Sequence, residues 1–411
     1  MRRLDAERVR HDTPELHRTV HGLEMSYLDS AASSLPPRAV IEAMNRYYER
    51  THTNVHRGVY EIAEEATEAY EHARRAIGAF IGAPIPDREI VFTKNATESF
   101  NLLAHSWGRS NLAKGDVVVL TEMEHHANIV PWLQLREERG IELRYLPVDS
   151  RFRLDLADLD AMVSGASLVS ITAMSNVLGT MPPVRVLADA AHSAGALVAI
   201  DAAQLVGHAP MDVQALGVDF ACFSAHKMRG PTGLGVLWAR AELLDAMPPF
   251  LGGGGMILDV RTDGFKPADP PHRFEAGTPP IAETVGLTAA VRYLEALGMD
   301  AVAAHDLDLT AYTLDRLSSR FGDKVTVFGP PDLEARGGVL SIELEGVHAH
   351  DLAQVLDRYG VCVRPGHHCA KPLMRRLGVP ATARVSFGPY SLERDVDALF
   401  DGLDHALSMF G

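Results

Sequence analysis

From residue 87 onward, short β-branched runs alternate with helix-length amphipathic stretches. The runs include Glu89-Ile90-Val91-Phe92, Asp116-Val117-Val118-Val119-Leu120, Leu168-Val169-Ser170-Ile171-Thr172 and Leu197-Val198-Ala199-Ile200-Asp201. They are apolar throughout rather than at every second residue, so both faces of each strand must be covered, as in a largely parallel sheet. The intervening patterns predict helices over 97–107 and 184–194, long enough to serve as crossovers. The chain is therefore expected to be an α/β protein.

A predicted helix over 64–80 precedes this alternation, and a helical stretch runs from 281 to about 321. Sparser strands follow at 325–328 and 338–342, then a helix over 351–359. That change of pattern marks a second, smaller α+β unit. With 411 residues and roughly 150 residues per domain, the expectation is a large domain over 22–295 and a small domain made of 1–21 and 296–411. The boundary then falls inside a helix. Gly252 to Gly255 read as a loop or hairpin tip.

Charge narrows the function. The chain carries 54 acidic against 39 basic residues, a net charge of −15, with no long basic run, so nucleic acid is not expected as a partner. The charged N-terminus lacks an apolar signal core, and no stretch of about 18 uncharged apolar residues occurs. A cytoplasmic protein with no membrane association is expected. Three cysteines, Cys222, Cys362 and Cys369, cannot form a disulfide framework and fit a reducing compartment.

Lys227 follows an apolar strand in Phe223-Ser224-Ala225-His226-Lys227-Met228-Arg229-Gly230, which displays it where open α/β sheets bind ligands. Alone, it reads equally well as a surface lysine. Asp201 ends another strand 26 positions upstream. An amine for a Schiff base and a carboxylate to keep a pyridine nitrogen protonated are the two groups pyridoxal phosphate requires. Asn95-Ala96-Thr97-Glu98, at a strand–helix junction, reads either as a phosphate cradle, to which Ser224 and His226 would add donors, or as a plain helix cap. His125 and His126 are adjacent, so they point in different directions and make a poor zinc site, but an imidazole at a strand end can stack on an aromatic cofactor. Asn176 and Gln204 also follow strands, where either could be a simple turn or cap. Arg364-Pro365-Gly366-His367-His368-Cys369-Ala370 predicts an exposed loop with a reactive thiol, whereas Cys222 and Cys362 lie in apolar runs and read as structural.

With these residues in hand, the chain resembles the group II, SufS-like cysteine desulfurases of the class V aminotransferase family of fold-type-I pyridoxal-phosphate enzymes. The likeness spans nearly the whole length, from Tyr27-Leu28-Asp29-Ser30-Ala31-Ala32-Ser33 and Asn54-Val55-His56-Arg57-Gly58 through Glu124-His125-His126-Ala127-Asn128 and Phe223 to Gly235. It continues in Arg273-Phe274-Glu275-Ala276-Gly277-Thr278-Pro279 and Arg364 to Ala370. The cysteine motif narrows the family to group II.

The resemblance implies a large domain with a mostly parallel seven-stranded sheet and a small domain that carries the cysteine loop. It implies pyridoxal 5'-phosphate held by Lys227, paired with Asp201 and stacked by His125. Asn176 and Gln204 would contact substrate or the ring hydroxyl. The phosphate would be bound at Ala96 and Thr97, by Ser224 and His226, and by Thr278 from a second subunit, which makes a homodimer. Arg384, with Arg364 nearby, would take the carboxylate of L-cysteine, a task suited to a guanidinium. Cys369 would receive the sulfur. Two departures stand out: Ala96 replaces a second hydroxyl, and Gly255 replaces a serine in the Gly-rich segment.

The implied activity converts L-cysteine to L-alanine and leaves a persulfide on Cys369 for iron–sulfur cluster assembly. Selenocysteine lyase is the alternative within enzymes, and an inactive scaffold paralogue the alternative outside them. No resident metal is expected. His350, at the start of the 351–359 helix, reads either as a solvated cap neighbour or, by resemblance, as the histidine offered to a zinc-binding SufU-like acceptor, which is favoured over a zinc-free SufE-like one.

Overall fold

The computed structural model describes residues 3–410. Seven strands form the central sheet: β1 (Ile90–Thr93), β2 (Val117–Thr121), β3 (Glu142–Leu146), β4 (Ala166–Thr172), β5 (Leu197–Asp201), β6 (Phe220–Ser224) and β7 (Gly235–Ala239). Their order is β1-β7-β6-β5-β4-β2-β3. Neighbours from β6 across to β3 are parallel, and β7 alone runs against both of its neighbours. The mostly parallel α/β sheet is as the apolar runs require. β1, β2, β6 and β7 are buried at every residue, while β3, at the edge, is partly open.

Helices cover the two faces. Among them are α1 (Arg38–Arg50), α2 (Glu61–Phe80), α3 (Ala96–Leu102), α4 (Val184–Ser193) and α5 (Ile281–Leu297), the last packed on α1 and α2. The helix expected over 97–107 is α3 followed by a π-helical segment, Leu103–Gly108. The helical stretch expected from 281 to 321 is two helices, α5 and α6 (Met299–Phe321), separated at Gly298. Gly298 has φ +84°, a backbone conformation that side chains other than hydrogen disfavour. A hairpin of β8 (Ile257–Arg261) and β9 (Gly264–Pro267) follows the four-glycine run and exposes Leu258, Val260 and Phe265.

A second sheet, β10 (Val325–Phe328), β11 (Val339–Leu344), β12 (Arg364–Gly366) and β13 (Thr382–Ser386), is antiparallel in the order β10-β11-β13-β12. It packs with α7 (Ala349–Arg358) and α8 (Glu393–Phe410) over its own core, which includes Leu340, Ile342, Leu352, Val385 and Phe400. An N-terminal segment joins it. Ser26–Tyr27 pairs in parallel with Val361–Cys362, and Asp29 bridges to Ser386. Among the described residues, no helix is long and apolar enough to cross a membrane.

Candidate active site

The ends of β2, β4, β5 and β6 open on a cavity of about 300 Å³, at the strand ends where open α/β sheets place their ligands. Ala96, Thr97, His125, Asn176, Asp201, Ser224, His226, Lys227, Arg364, Cys369 and Arg384 all line it. Gln204 is buried just after β5, with its amide donating to Ala31 O at 2.8 Å. Two expected residues lie elsewhere on the chain. Thr278 is exposed beside a separate cavity lined by Tyr70, Lys94 and Phe250, and His350 is exposed at the start of α7, its ring stacked on His348 at 5.2 Å.

Lys227 sits in the 3-10 turn Ala225–Lys227 directly after β6. Gly207 holds that turn close: a Cβ there would come within 2.5 Å of the Lys227 carbonyl oxygen. Burial pushes the Lys227 amine below its usual range, and the Asp201 carboxylate opposes the shift. Burial pushes Asp201 up, with Lys227 pulling it back. The pair is coupled across the cavity. One Asp201 oxygen accepts from Ala203 N at 3.0 Å.

His125 Nδ1 accepts from Ala127 N at 3.1 Å, so a neutral ring carries its proton on Nε2. Burial, with Lys227 adding, pushes its pKa down to about 3, which keeps it neutral. A buried network lies beneath it. Glu124 accepts from Thr121 Oγ1, Asn128 Nδ2 and Thr172 N, and Asn128 Oδ1 accepts from Ser170 Oγ and Trp132 Nε1. These bonds tie the residue before His125 to β2 and β4.

At the junction of α3, Asn95 caps the helix by accepting from Glu98 N, and Ala96 N donates to Ser224 Oγ at 2.8 Å. Asn95 thus caps the helix, and Asn95, Thr97 and Ser224 all line the cavity.

Arg364 and Arg384 are direct cross-strand partners in β12 and β13. Like charges placed opposite one another are destabilising. Asp29 resolves the conflict, accepting from Arg364 at 3.0 Å and from Arg384 at 3.2 Å. The Arg384 side chain is 3% exposed and that of Arg364 54%, so the first arginine is fixed and the second reaches solvent. Arg384 Nε is left without a partner. Asp29 lies in one of the motifs of the resemblance, but no local pattern gives it a role, because its arginine partners stand more than 330 positions away.

Cys369 is exposed, and both it and His368 adopt left-handed backbone conformations, φ +55° and +49°. Three hydrogen bonds clasp the loop to the large domain: His126 N to Cys369 O at 2.7 Å, Lys371 N to His126 Nε2 at 3.0 Å, and Asn176 Nδ2 to His368 O at 2.7 Å. His126 and His368 thus have structural work that the sequence did not single out. Cys222 is buried and Cys362 half-buried.

Residues 26–399 match the aminotransferase class-V family model. The chain belongs to the class-V aminotransferases, enzymes built around pyridoxal phosphate. Within this family it is 49% identical to a probable cysteine desulfurase of Streptomyces coelicolor, over 99% of this chain and 98% of the relative. Among solved structures, it matches the apo cysteine desulfurase from Thermococcus onnurineus with a TM-score of 0.93 and 40% identity, covering 99% of each chain. It also matches the cysteine desulfurase CsdA from Escherichia coli with a TM-score of 0.92 and 37% identity over the full length of both.

The residues present fit the family's cofactor. Gln204 Oε1 is buried without a hydrogen-bond partner, and a buried acceptor of that kind calls for a donor such as a ring hydroxyl. The same cavity offers an amine at Lys227, a carboxylate at Asp201 and a neutral imidazole at His125.

Proposed function

We propose that this class-V aminotransferase is a cysteine desulfurase: it converts L-cysteine to L-alanine, receives the sulfur on Cys369 as a persulfide, and supplies iron–sulfur cluster assembly. The observation that carries the reading is the meeting of Lys227 and Cys369 in one cavity. A plain transaminase has no use for the thiol. Pyridoxal phosphate, when bound, supplies an electron sink for charge developing at the substrate's α-carbon.

Lys227 Nζ would hold the cofactor and, its proton affinity lowered by burial, move the proton at the α-carbon. Asp201 would keep the proton on the ring nitrogen, His125 would stack on the ring, and Gln204 and Asn176 would meet the ring hydroxyl or the substrate. Thr97, Ser224 and His226, with the Ala96 junction, would hold the phosphate. Arg384, with Arg364, would take the substrate carboxylate in the charge-assisted geometry a guanidinium favours. The Cys369 thiolate attacks the substrate sulfur: an S–S bond forms, the C–S bond breaks, and its electron pair stays with carbon, which is protonated on the way to alanine. No external oxidant is needed, because the persulfide retains the oxidation equivalent of the broken bond.

Thr278 and the His56-Arg57 segment stand outside the cavity of their own chain, which supports a homodimer in which they complete the partner's site. His350 is solvent-exposed on the small domain, as a ligand for a zinc-binding, SufU-like acceptor must be, and that acceptor is favoured over a SufE-like one. Cytoplasmic location belongs to the same reading.

The test is the absorption spectrum of the purified enzyme with and without L-cysteine, followed by sulfide release under reductant. A yellow band that changes on cysteine, with sulfide formed, is the expected result; no change and no sulfide would refute the reading. For the acceptor, His350→Ala should keep basal turnover and lose stimulation by the zinc acceptor, and equal stimulation of both forms would refute that part.

A further inference from the structure

Asp29 stands between the two arginines at the carboxylate end of the cavity, and it treats them differently. Its carboxylate accepts from Arg364 Nε at 3.1 and 3.3 Å and from Arg364 Nη2 at 3.0 Å. From Arg384 it accepts a single bond, Nη2 at 3.2 Å. We infer that Asp29 is a specificity-determining residue: it caps the fork of Arg364, leaves Arg384 to receive the substrate carboxylate, and so discriminates against amino acids whose side chain carries a second anion, such as L-aspartate. The inference rests on the cysteine desulfurase reading, since it concerns which substrates that cavity admits.

The backbone fixes Asp29 in this place. Its segment runs beside β13: Ser386 N donates to Leu28 O at 2.8 Å, Leu28 N donates to Cys362 O at 3.0 Å, and Asp29 itself bridges to Ser386. The Asp29 side chain is 11% exposed and is not among the groups that line the cavity, whereas Arg364 and Arg384 both line it. Asp29 therefore acts on a ligand through the arginines. The two arginines are opposed across β12 and β13, and side chains so placed start about 5 Å apart. Without a cap, the two carboxylates of a small amino diacid could engage both.

Donor counting separates the pair. A guanidinium presents its N–H groups as a planar fork, which a carboxylate fills with two parallel hydrogen bonds. At Arg364, Asp29 already accepts from both Nε and Nη2. At Arg384, Asn176 O accepts from Nη1 at 3.1 Å and Asp29 from Nη2, while Nε has no partner. A buried donor left over calls for an acceptor, which draws a ligand carboxylate to Arg384. Charge acts in the same sense. Asp29, Arg364 and Arg384 sum to +1, which one carboxylate neutralises. A second anion would find Arg364 occupied and the Asp29 carboxylate beside it, and like charges at close range repel. Removing the Asp29 carboxylate raises the sum to +2 and opens the Arg364 fork.

The test reads binding. L-alanine, with one carboxylate, and L-aspartate, with two, are titrated by calorimetry into the holoenzyme and into its Asp29→Asn and Asp29→Ala forms. The ratio of the two dissociation constants cancels any general loss of affinity from a looser fold. The parent should bind L-aspartate no more tightly than L-alanine. In the variants the ratio should move toward L-aspartate by about tenfold, the lower end for a hydrogen bond to a charged group. Adding Arg364→Gln to either variant should return the ratio to the parent's value. Circular dichroism and cofactor absorbance identify which Asp29 variant is folded, and the parent measurement needs neither. Preferential binding of L-aspartate by the parent, an unmoved ratio in a folded variant, or a shift that survives Arg364→Gln would overturn the inference. L-cysteine plays no part in these titrations, so their failure leaves the desulfurase reading standing; that reading fails only if the cofactor spectrum of the parent does not respond to L-cysteine and no sulfide forms.

Discussion

The two halves of the cavity are built in opposite ways. The floor, with Lys227 and Asp201, stands at the ends of β6 and β5 in the middle of the sheet, where the strands are paired on both sides and almost wholly buried. The wall that carries Cys369 is an exposed loop of left-handed residues, joined to the large domain by the three bonds through His126 and Asn176. The chemistry that must be fixed is placed by the fold as a whole. The thiol that, on the proposed reading, delivers sulfur outward is held by a small clasp, and segments with few bonds open at low free-energy cost.

The largest test of this contrast is Lys227→Ala. It should abolish the yellow absorbance, leave borohydride without a lysine to label, and lower turnover by about 10⁴-fold, the upper end of what one positioned acid–base group contributes. Labelling of another lysine in the parent would break the assignment of the floor.

Next comes the arginine pair. Removing Arg384 as Arg384→Ala leaves Asp29 with one solvent-exposed partner and should cost about 3–5 kcal/mol of stability, the penalty for breaking a buried ion pair. Arg364→Ala, at the exposed arm, should cost no more than about 1 kcal/mol. Denaturant melts of the two variants give the comparison, and equal losses would show that Asp29 does not divide them as described.

Loosening the clasp should have a smaller effect. His126→Ala removes the acceptor for Lys371 N while leaving β5 and β6 intact. Cofactor absorbance should be unchanged, and sulfur transfer should slow by up to about 100-fold, as a misplaced reacting group does. Unchanged transfer would mean that His126 does not position the loop.

How much of this was legible in advance follows the same division. The apolar runs announced the parallel sheet, Lys227 and Asp201 were marked by the strand ends they follow and by each other, and Cys369 by its motif. Asp29 was not, because its meaning depends on β12 and β13 placing two arginines opposite each other, a register that no local pattern carries. The clasp was hidden for a related reason: His126 was read beside His125, although its partners are 243 and 245 positions away at Cys369 and Lys371, by difference of residue numbers. The break at Gly298 was open to reading, since a lone glycine within a helical pattern can end it.

The remaining test concerns pH. Burial holds His125 and His368 at about 3 and His226 at about 4, so all three stay neutral in the native state while the unfolded chain protonates them near 6.5. Below that value the unfolded state binds more protons, and stability is lost as pH falls from about 6.5 toward 4. Denaturant midpoints of the apoenzyme across that range should decline, and His368→Gln should flatten the slope. An unaltered slope would place its titration elsewhere.

The central claim is that the buried floor and the clasped thiol act on one substrate. Its most direct test is mass spectrometry of the enzyme after L-cysteine is added without reductant, compared with a Cys369→Ser variant. The account predicts a gain of one sulfur atom on the peptide carrying Cys369, alanine formed in equal amount, and a variant that binds cofactor and cysteine normally but gains no sulfur. Sulfur found on Cys222 or Cys362, or undiminished sulfide release by the variant, would contradict it.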